Sequence, residues 1–307
     1  MPVPNPFPHF DGFTYSTAIP LQEGVTRRDP SPVIRVDEVY YVWYSRTMHS
    51  VDGYSATVWY ATSDDGHTWS EQGEALGAGG EGSFDQHAVF TPTILVASGL
   101  YYLFYTAVPE PFTNDDGGPG GTRTAIGVAS AASPRGPWTR VEDHPILRPS
   151  DDPEQFDSMR VDDSCLVVRE GGYWMYYKGR QHNRTPSETR MGLAIADSPA
   201  GPYRKCDGNP VLDSGHEVCV WPHASGVGCL VASVGPQGNT LQYSDDGLHF
   251  HKIADTDPPK APGPCRDDDF TEGRAPGVSW GVSMVHHRQW PYLVRFDCRL
   301  QGDALYR

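Results

Sequence analysis

Three acidic residues are placed in this chain so that they can take part in acid–base chemistry. Asp29, Asp162 and Glu217 each stand just before an apolar stretch of the sequence, and each belongs to a different part of the chain. Hydrolysis of an acetal needs one carboxylic acid that protonates the leaving oxygen and one carboxylate across the bond that activates water or attacks. A third acid tunes the pKa of its neighbours through like-charge repulsion. These residue types therefore point to hydrolysis, provided that the fold brings them together.

An internal repeat indicates that the fold does so. Residues 29–44 align without a gap on residues 162–177, so that Asp29 falls on Asp162 and Tyr44 on Tyr177. Two carboxylates at equivalent points of two repeats predict one shared site. Since alternation along a strand sends adjacent side chains to opposite faces, the alignment favours Asp162 as the site residue, with Asp163 as the second choice.

The elements that must position these residues are short β-strands. The 33 glycines and 28 prolines and the scarcity of helical periodicity favour many strands joined by turns. Units of this kind, repeated at intervals of tens of residues, are typical of a β-propeller. We therefore predict an all-β, five-bladed β-propeller that forms a single domain over residues 1–307. The predicted blades are about 25–75, 85–145, 158–210, 215–255 and 276–298, the last closed by the N-terminal segment, and 255–270 is predicted as loop.

In a propeller the innermost strands follow the central channel, so the residues that begin them converge on one face. Histidines, cations and aromatic rings join the three acids there, a mixture that suits the hydroxyls and C–H faces of a sugar. The candidate substrate-binding residues are Arg28, His87, Thr91, Asp163, Lys178, Arg180, His216, Trp221, His223, Arg274 and Trp280.

Composition excludes several other functions. The chain has 39 acidic and 24 basic residues, a formal charge of −15, which argues against nucleic acid or an anionic membrane as partner. The six cysteines show no metal-ligand spacing, and we predict no metal site and no required cofactor, while leaving room for a divalent cation in the central channel. The first residues lack the features of a secretory signal, so a cytoplasmic location is expected.

Several motifs, taken in chain order, resemble one family of glycosidases. They are Arg28-Asp-Pro-Ser, His87-Ala-Val-Phe-Thr-Pro-Thr, Val161-Asp-Asp-Ser-Cys, Tyr177-Lys-Gly-Arg180, Gly215-His-Glu-Val, Trp221-Pro-His223 and Trp290-Pro-Tyr-Leu-Val-Arg-Phe-Asp297. Together they resemble glycoside hydrolase family 117, whose order of acids is similar to that of the five-bladed family 43. The resemblance covers about residues 25–298 and implies a five-bladed glycosidase.

The resemblance also implies roles for the acids and a substrate class. Asp29 corresponds to the general base. Asp162 corresponds to the acid that positions the sugar and tunes the pKa of the general acid. Glu217 corresponds to the general acid or a substrate-binding carboxylate, and His216 is the alternative acid. Family 117 contains 3,6-anhydro-L-galactosidases that act on the non-reducing end of neoagaro-oligosaccharides. Its members usually exchange a helical N-terminal extension between subunits, and this chain has almost nothing before its first blade, so a homodimer is left open.

The function predicted from these features is that of an exo-acting glycoside hydrolase that inverts the anomeric configuration and releases a terminal sugar such as 3,6-anhydro-L-galactose. Two alternatives stay open. One is an arabinofuranosidase or xylosidase of the family 43 type, which has the same acids in a different pocket. The other is a non-catalytic sugar-binding propeller, which needs aromatic and histidine side chains but has no need of three convergent carboxylates.

Overall fold

The regular structure of the chain is almost entirely β-strand. The computed structural model describes residues 5–48, 54–113, 121–232, 234–266, 277–286 and 289–301. Within these ranges there are 21 strands and one 3₁₀ turn, Pro186–Glu188. No helix in the described ranges has the length and apolar character that crossing a membrane requires. The prediction of an all-β fold is confirmed.

The strands form five sheets. The N-terminal strand is β1 (Thr14–Ile19). Blade 1 contains β2 (Thr26–Arg28), β3 (Ile34–Val36), β4 (Val39–Thr47), β5 (Thr57–Ser63) and β6 (Ser70–Leu76). Blade 2 contains β7 (Ala88–Ala97), β8 (Leu100–Val108), β9 (Ala125–Ala131) and β10 (Thr139–Arg140). Blade 3 contains β11 (Arg160–Arg169), β12 (Gly172–Arg180), β13 (Arg190–Ala196) and β14 (Arg204–Lys205).

The last two blades complete the ring. Blade 4 contains β15 (Val218–His223), β16 (Gly226–Val231), β17 (Thr240–Ser244) and β18 (His251–Asp255). Blade 5 contains β19 (Lys260–Pro264), β20 (Gly277–Val285) and β21 (Tyr292–Gln301), and β1 joins its outer edge. Within each blade the strands are antiparallel and the first strand in sequence, or β19 in blade 5, lies next to the channel. The five-bladed β-propeller is therefore confirmed.

Blade 5 begins earlier in the sequence than the pattern predicted. Its inner strand is β19, which lies in the segment 255–270 that was predicted as loop. Proline obscures this strand in the sequence, because Pro262 and Pro264 remove hydrogen-bond donors. The innermost strand of a blade tolerates these prolines, because it forms a regular set of backbone hydrogen bonds on one side only, here with β20. The closing strand expected near Phe10–Ile19 is β1, which pairs with β21.

A repeated ion-pair motif holds the second strand of three blades. In each of these blades a buried tyrosine hydroxyl donates to a carboxylate that also binds a cation. The three sets are Tyr44–Glu71–Arg27, Tyr105–Asp85–Arg140 and Tyr177–Asp157–Lys205, with hydroxyl-to-carboxylate distances of 2.6, 2.9 and 2.8 Å. The residue after each tyrosine (Ser45, Thr106 or Lys178) belongs to the candidate site. The contacts of the tyrosines therefore hold in place the strands β4, β8 and β12 that carry these site residues.

Candidate active site

A pocket opens at the end of the channel where the inner strands begin. It has a volume of about 450 Å³, counted to its open mouth, and all five blades contribute to its wall. Its lining includes three acidic side chains, Asp29, Asp163 and Glu217. The other lining residues are Pro30, Pro32, Thr91, Pro92, Thr93, Ser164, Cys165, Val218, Ala261 and Pro262. The convergence of acids from blades 1, 3 and 4 that the repeat predicted is therefore present, with Asp163 in the place expected for Asp162.

The same backbone irregularity delivers the pocket residues of four blades. Asp29, Thr91, Asp163 and Ala261 have positive φ angles of 52°, 45°, 47° and 44°. Few residues other than glycine adopt this left-handed conformation, and it is retained where surrounding structure enforces it. Each of the four lies at a β-bulge, where the inner strand carries more residues than its neighbour. The bulge interrupts the alternation of side chains and leaves these residues on the wall of the pocket.

Strand pairing shows which residues are equivalent. Asp162 pairs with Lys178 just before the bulge of blade 3, as Arg28 pairs with Ser45 before that of blade 1. The residue that follows is Asp163 in blade 3 and Asp29 in blade 1. The gap-free alignment was therefore wrong by one residue in this region, because the bulge of blade 1 contains one residue more.

Ser31 accommodates the additional residue of blade 1. Its N–H donates to the carbonyl of Trp43 at 2.7 Å, and its hydroxyl accepts the N–H of Trp43 at 3.0 Å. The prolines on either side, Pro30 and Pro32, have no N–H that would need a partner. The longer bulge thus leaves both backbone groups of Trp43 hydrogen-bonded. Nothing in the sequence alone distinguishes this arrangement from an unbulged strand.

Asp162 lies behind the pocket rather than in its lining. Its side chain is 6% exposed, and Lys178 Nζ is 3.3 Å from its Oδ1 and also donates to Asp163 Oδ2. Burial raises the pKa of Asp162, and the charge of Lys178 opposes this. The expectation that adjacent side chains point to opposite faces fails here, because the left-handed Asp163 turns both carboxylates toward one lysine.

Lys178 is consequently a partner of two acids. Burial alone would lower its pKa, but the charges of Asp162 and Asp163 outweigh that effect and raise the pKa of the ammonium group. Asp163 Oδ1 is buried and accepts no hydrogen bond from the described residues, as is also true of Ser164 Oγ and Thr93 Oγ1. Three pocket-lining residues therefore each have a buried polar atom without a partner among the described residues.

Asp29 is held by a cation on one side and a hydroxyl on the other. Arg28 Nε donates to Asp29 Oδ2 at 2.7 Å, and Ser45 Oγ is 3.5 Å from the same oxygen. Ser45 also accepts the N–H of Thr91 at 2.8 Å, which connects blade 1 to blade 2. The Arg28 guanidinium also lies 5.5 Å from the ring centre of Tyr54. The predicted site residue Arg28 therefore contacts Asp29 but is not itself part of the pocket lining.

Hydroxyl groups extend this connection to blade 3. Thr91 Oγ1 and Thr106 Oγ1 are 2.5 Å apart, and Thr106 Oγ1 accepts the N–H of Asp163 at 3.4 Å. Thr91 is thus a lining residue, as predicted, and it also belongs to a hydrogen-bonded chain that runs from Asp29 to Asp163. The relative position of the two acids is set by buried side chains of blades 1 and 2 and by the N–H of Asp163 in blade 3.

Glu217 has the environment of a protonated acid. Its Oε2 accepts the N–H of Ala261 at 2.8 Å. Burial, followed by the charges of Asp29 and Asp163, raises the pKa of Glu217, although the Ala261 bond and Lys260 act in the opposite direction. A carboxyl group with a raised pKa stays protonated at a pH at which an ordinary glutamate is ionised, and it can then donate a proton.

His216 has a different character. Burial and then the charge of Lys178 lower the pKa of His216 to about 4, so the ring is neutral near pH 7. Its Nδ1 lies 3.2 Å from the carbonyl of Pro186. Because a carbonyl only accepts, Nδ1 carries the proton and Nε2 is left as an acceptor. This state does not favour His216 as the general acid.

Several predicted contact residues lie away from the pocket lining. Trp221 is 1% exposed and packs in the core, with its ring 5.8 Å from that of Phe7. His223 is buried at the far end of β15, about 17 Å along the strand from Val218 at 3.3 Å per residue, and its Nε2 donates to Pro6 O. Both were predicted as substrate contacts, and both belong to the Trp221-Pro-His223 motif, but their positions along the strand decide against contact.

Trp280 and Arg180 also pack within the protein. Trp280 is on the second strand of blade 5, where the Arg295 guanidinium lies 4.0 Å from its ring and Tyr40 contacts its edge. Arg180 is 2% exposed and pairs with Arg160 at the end of β12. His87 is half-buried just before β7 and is not part of the lining. Arg274 and the acidic run 267–269 lie outside the described residues.

The sequence missed Ala261 and Pro262, which complete the wall next to Glu217. The dipeptides Asp29-Pro30, Thr91-Pro92 and Ala261-Pro262 were the available signal, since each places proline after the left-handed residue. Among the described residues, the only cluster with metal-ligand geometry is Glu142, Asp143 and His144, three consecutive exposed residues remote from the pocket lining.

Comparison with known proteins gives a consistent result. Residues 20–183 match the family model "Glycosyl hydrolases family 43". The chain is similar to the solved structure of Zg3597, a family 117 glycoside hydrolase of the marine bacterium Zobellia galactanivorans. That similarity has 31% identity and a TM-score of 0.85, and it covers 95% of this chain and 91% of the other. The search of curated protein sequences gave no match.

More distant structures share the fold alone. The endo-arabinase of Bacteroides thetaiotaomicron has a TM-score of 0.57 at 15% identity, with 92% of this chain and 97% of the other covered. The catalytic domain of a family 62 α-L-arabinofuranosidase from Coprinopsis cinerea has a TM-score of 0.64 at 12% identity, covering 94% and 97%.

Proposed function

Given that the chain belongs to glycoside hydrolase family 117 and is a glycosidase, we propose that it is an exo-acting, inverting enzyme that releases a terminal sugar such as 3,6-anhydro-L-galactose from neoagaro-oligosaccharides. The observation that carries this proposal is the pairing of unlike acids in one pocket. Glu217 has a raised pKa, and Asp29 is ion-paired with Arg28.

The proposed mechanism assigns one step to each acid. Asp29 removes a proton from a water molecule that attacks the anomeric carbon. Glu217 donates its proton to the leaving oxygen as the glycosidic bond breaks. The water oxygen becomes the new hydroxyl on the opposite face of the sugar, so the configuration inverts. Asp29 ends protonated and Glu217 ionised, and exchange with solvent restores both.

Asp163 takes the positioning role that the sequence gave to Asp162. It lines the pocket, it holds its Oδ2 against Lys178, and its Oδ1 has no partner among the described residues. We propose that the carboxylate of Asp163, whose side chain is 14% exposed, accepts a hydrogen bond from a hydroxyl of the terminal sugar. The charge of Asp163 also contributes to the raised pKa of Glu217.

The exo-acting part of the proposal is supported by the position of the pocket. Residues of all five blades surround it at one end of the channel, an arrangement that suits the end of a sugar chain. The substrate is supported by the similarity to a family 117 enzyme. A cytoplasmic location and the absence of a required cofactor stay predictions. Whether the protein forms a homodimer stays open.

The test is hydrolysis of neoagarobiose, followed by NMR of the first-formed anomer, with arabino-oligosaccharides and aryl glycosides as alternative substrates. We expect cleavage of neoagarobiose with inversion, and a loss of about 10²- to 10⁴-fold in kcat for Asp29→Asn. Cleavage of arabinosides alone would replace the substrate by the family 43 alternative. Binding without turnover at any pH would favour a sugar-binding protein. A near-normal rate for Asp29→Asn would refute the assignment of Asp29 as the general base.

A further inference from the structure

A second depression lies on the same face of the propeller, beside Glu217. The segment that crosses from β18 to β19 forms one side of it, and the outer half of blade 5 forms the other. We call it the blade 5 groove and define it by Tyr15, Pro258, Pro259, Lys260, Met284 and Tyr292. Its volume is about 1180 Å³, counted to its open mouth. It is therefore larger and more open than the pocket.

Chain connectivity places one end of the groove next to the proposed acid. Lys260 lines the groove and pairs with Met284, while the next residue, Ala261, lines the pocket and donates its N–H to Glu217 Oε2. One peptide unit of β19 thus separates the two depressions. Tyr292 pairs with Val285 at the same end of blade 5, so the groove continues outward along the mouth face.

The groove has the mixed surface of a site for a sugar chain. Tyr15 is 53% exposed, an unusual state for a large ring, and Pro258 and Pro259 form a buried apolar floor. Flat apolar groups of this kind contact the C–H faces of sugars. Asp257, Ser16 and Thr17 are exposed at its edge, where they can bind hydroxyl groups.

A different depression on this face is less suited to that purpose. It is lined by charged residues that already pair with each other, with Arg190 Nε 2.9 Å from Asp213 and Arg184 3.0 Å from Glu188. The hydrogen bond between His216 and Pro186 lies between it and the pocket. Its apolar lining is limited to Pro236 and to Phe156, which is buried and packs against Tyr177.

We propose that the blade 5 groove binds the leaving part of the sugar chain, so that the substrate is an oligosaccharide with several units beyond the bond that is cleaved. This rests on the proposed role of Glu217, because the leaving oxygen must lie at the group that protonates it. The leaving chain then begins at Glu217 and follows Lys260 toward Tyr15 and Tyr292, while the terminal sugar occupies the pocket.

The experiment compares substrates of increasing length on Tyr15→Ala and on Tyr15→Ala/Tyr292→Ala. We expect kcat/KM for neoagarohexaose to fall about 10-fold in the double variant, as loss of stacking on two rings predicts, and kcat/KM for neoagarobiose to change less than about 2-fold. Leu21→Ala, which alters another exposed apolar side chain outside the groove, is the control and is expected to leave both substrates unchanged.

The outcomes separate this proposal from the function on which it rests. If the double variant loses kcat/KM equally on short and long substrates, or on neither, the proposed role of the groove is wrong. The proposal that the protein is a hydrolase is not affected by that result. If neoagaro-oligosaccharides are not cleaved at all, the substrate proposal fails, and the same length comparison is made with the arabino-oligosaccharides that are cleaved. If kcat/KM rises with the length of these substrates in the unchanged protein but not in the double variant, the proposed role of the groove is still supported.

Discussion

Asp29 and Asp163 occupy the same position in two blades of the propeller, each one residue beyond the last regular pair of its inner strand and each with a left-handed backbone, φ 52° and 47°. A chain of buried hydroxyl and amide groups through Ser45, Thr91 and Thr106 joins them. Their equivalence is a property of the bulges and not of the residue numbering, since the bulge of blade 1 is one residue longer. This relationship determines which of two adjacent aspartates lines the pocket.

Replacement of the two adjacent aspartates tests that assignment. We expect Asp163→Asn to lower kcat/KM about 100-fold or more, because it removes a charge and an acceptor in the pocket. Asp162→Asn is expected to cost less than about 10-fold, since Asp162 contacts Lys178 behind the lining. Kinetics on neoagarobiose and thermal melts of both variants give the comparison. The opposite ranking, with both variants folded, would restore the assignment to Asp162.

Glu217→Gln is expected to lower activity while stabilising the protein. The pKa of Glu217 is raised in the folded state, so the folded protein binds its proton more tightly than the unfolded chain does. Stability then falls as pH rises from the ordinary carboxyl range through the folded pKa. Glutamine does not titrate, so the variant avoids this loss of stability. We expect the melting temperature of Glu217→Gln to equal that of the unchanged protein at pH 4 and to exceed it increasingly toward pH 8. The variant should also lose about 10²- to 10⁴-fold in kcat.

Glu81→Gln, at an exposed loop position, serves as the control for Glu217→Gln. Its melting temperature should follow that of the unchanged protein across the same pH range. In the unchanged enzyme, activity should decline as pH rises through the pKa of Glu217, at a pH above that of an ordinary glutamate. An alkaline limit that persists in the residual activity of Glu217→Gln would show that another group is the acid.

Lys178→Met is expected to destabilise the protein in a pH-dependent manner. Lys178 is 16% exposed and lies against two carboxylates, so its loss leaves buried charges without a partner, at a cost of about 3 kcal/mol near pH 7.5. The pKa of Asp162, already raised by burial, then rises further. Protonation at low pH removes that charge, so the deficit should be smaller at pH 5 than at pH 7.5.

Denaturant unfolding at the two pH values measures this effect. Lys252→Met is the matched control, because Lys252 forms an ion pair with Asp255 in which both side chains are exposed. Exposed pairs contribute little, so this variant should unfold like the unchanged protein at both pH values. A Lys178→Met deficit that is equal at pH 5 and pH 7.5 would mean that lost packing, and not unpaired charge, is responsible.

Gly263→Ala is expected to disturb the junction between blade 5 and blade 1. A Cβ at Gly263 would lie 1.9 Å from the carbonyl oxygen of Ser31, which belongs to the bulge that carries Asp29. Backbone on both sides leaves little room for adjustment, so we expect a loss of about 3 kcal/mol, at the upper end of overpacking effects. Activity should fall as well, because Asp29 moves with the bulge. Circular dichroism melts and kcat measure the two effects.

Gly80→Ala is the corresponding control, since a Cβ at that position meets no other atom within 4 Å. It should change neither the melting temperature nor kcat appreciably. If Gly263→Ala were as stable and as active as Gly80→Ala, the contact between Ser31 and β19 would not be a constraint on the site.

The sequence by itself determined the fold class and the approximate content of the site. Aromatic strands separated by turns repeat often enough to define blades, because each blade must present alternate side chains to its neighbours on both faces. The positions of Asp29 and Glu217 follow from the same repeat, since inner strands that begin at one face bring their first residues together. Blade 5 was recognised only in part, because its inner strand is rich in proline and resembles a loop.

The tertiary structure alone decided which residues of each strand reach the pocket. A β-bulge adds one or two residues without changing the composition of the strand, and a single left-handed residue reverses the direction of the side chains around it. For this reason Asp163 lines the pocket in place of Asp162, and Ala261 contacts Glu217. Trp221 and His223 lie in the core because of their position along β15, which pairs regularly with β16. These outcomes depend on pairing with the next strand, and pairing is a contact between residues that are distant in sequence.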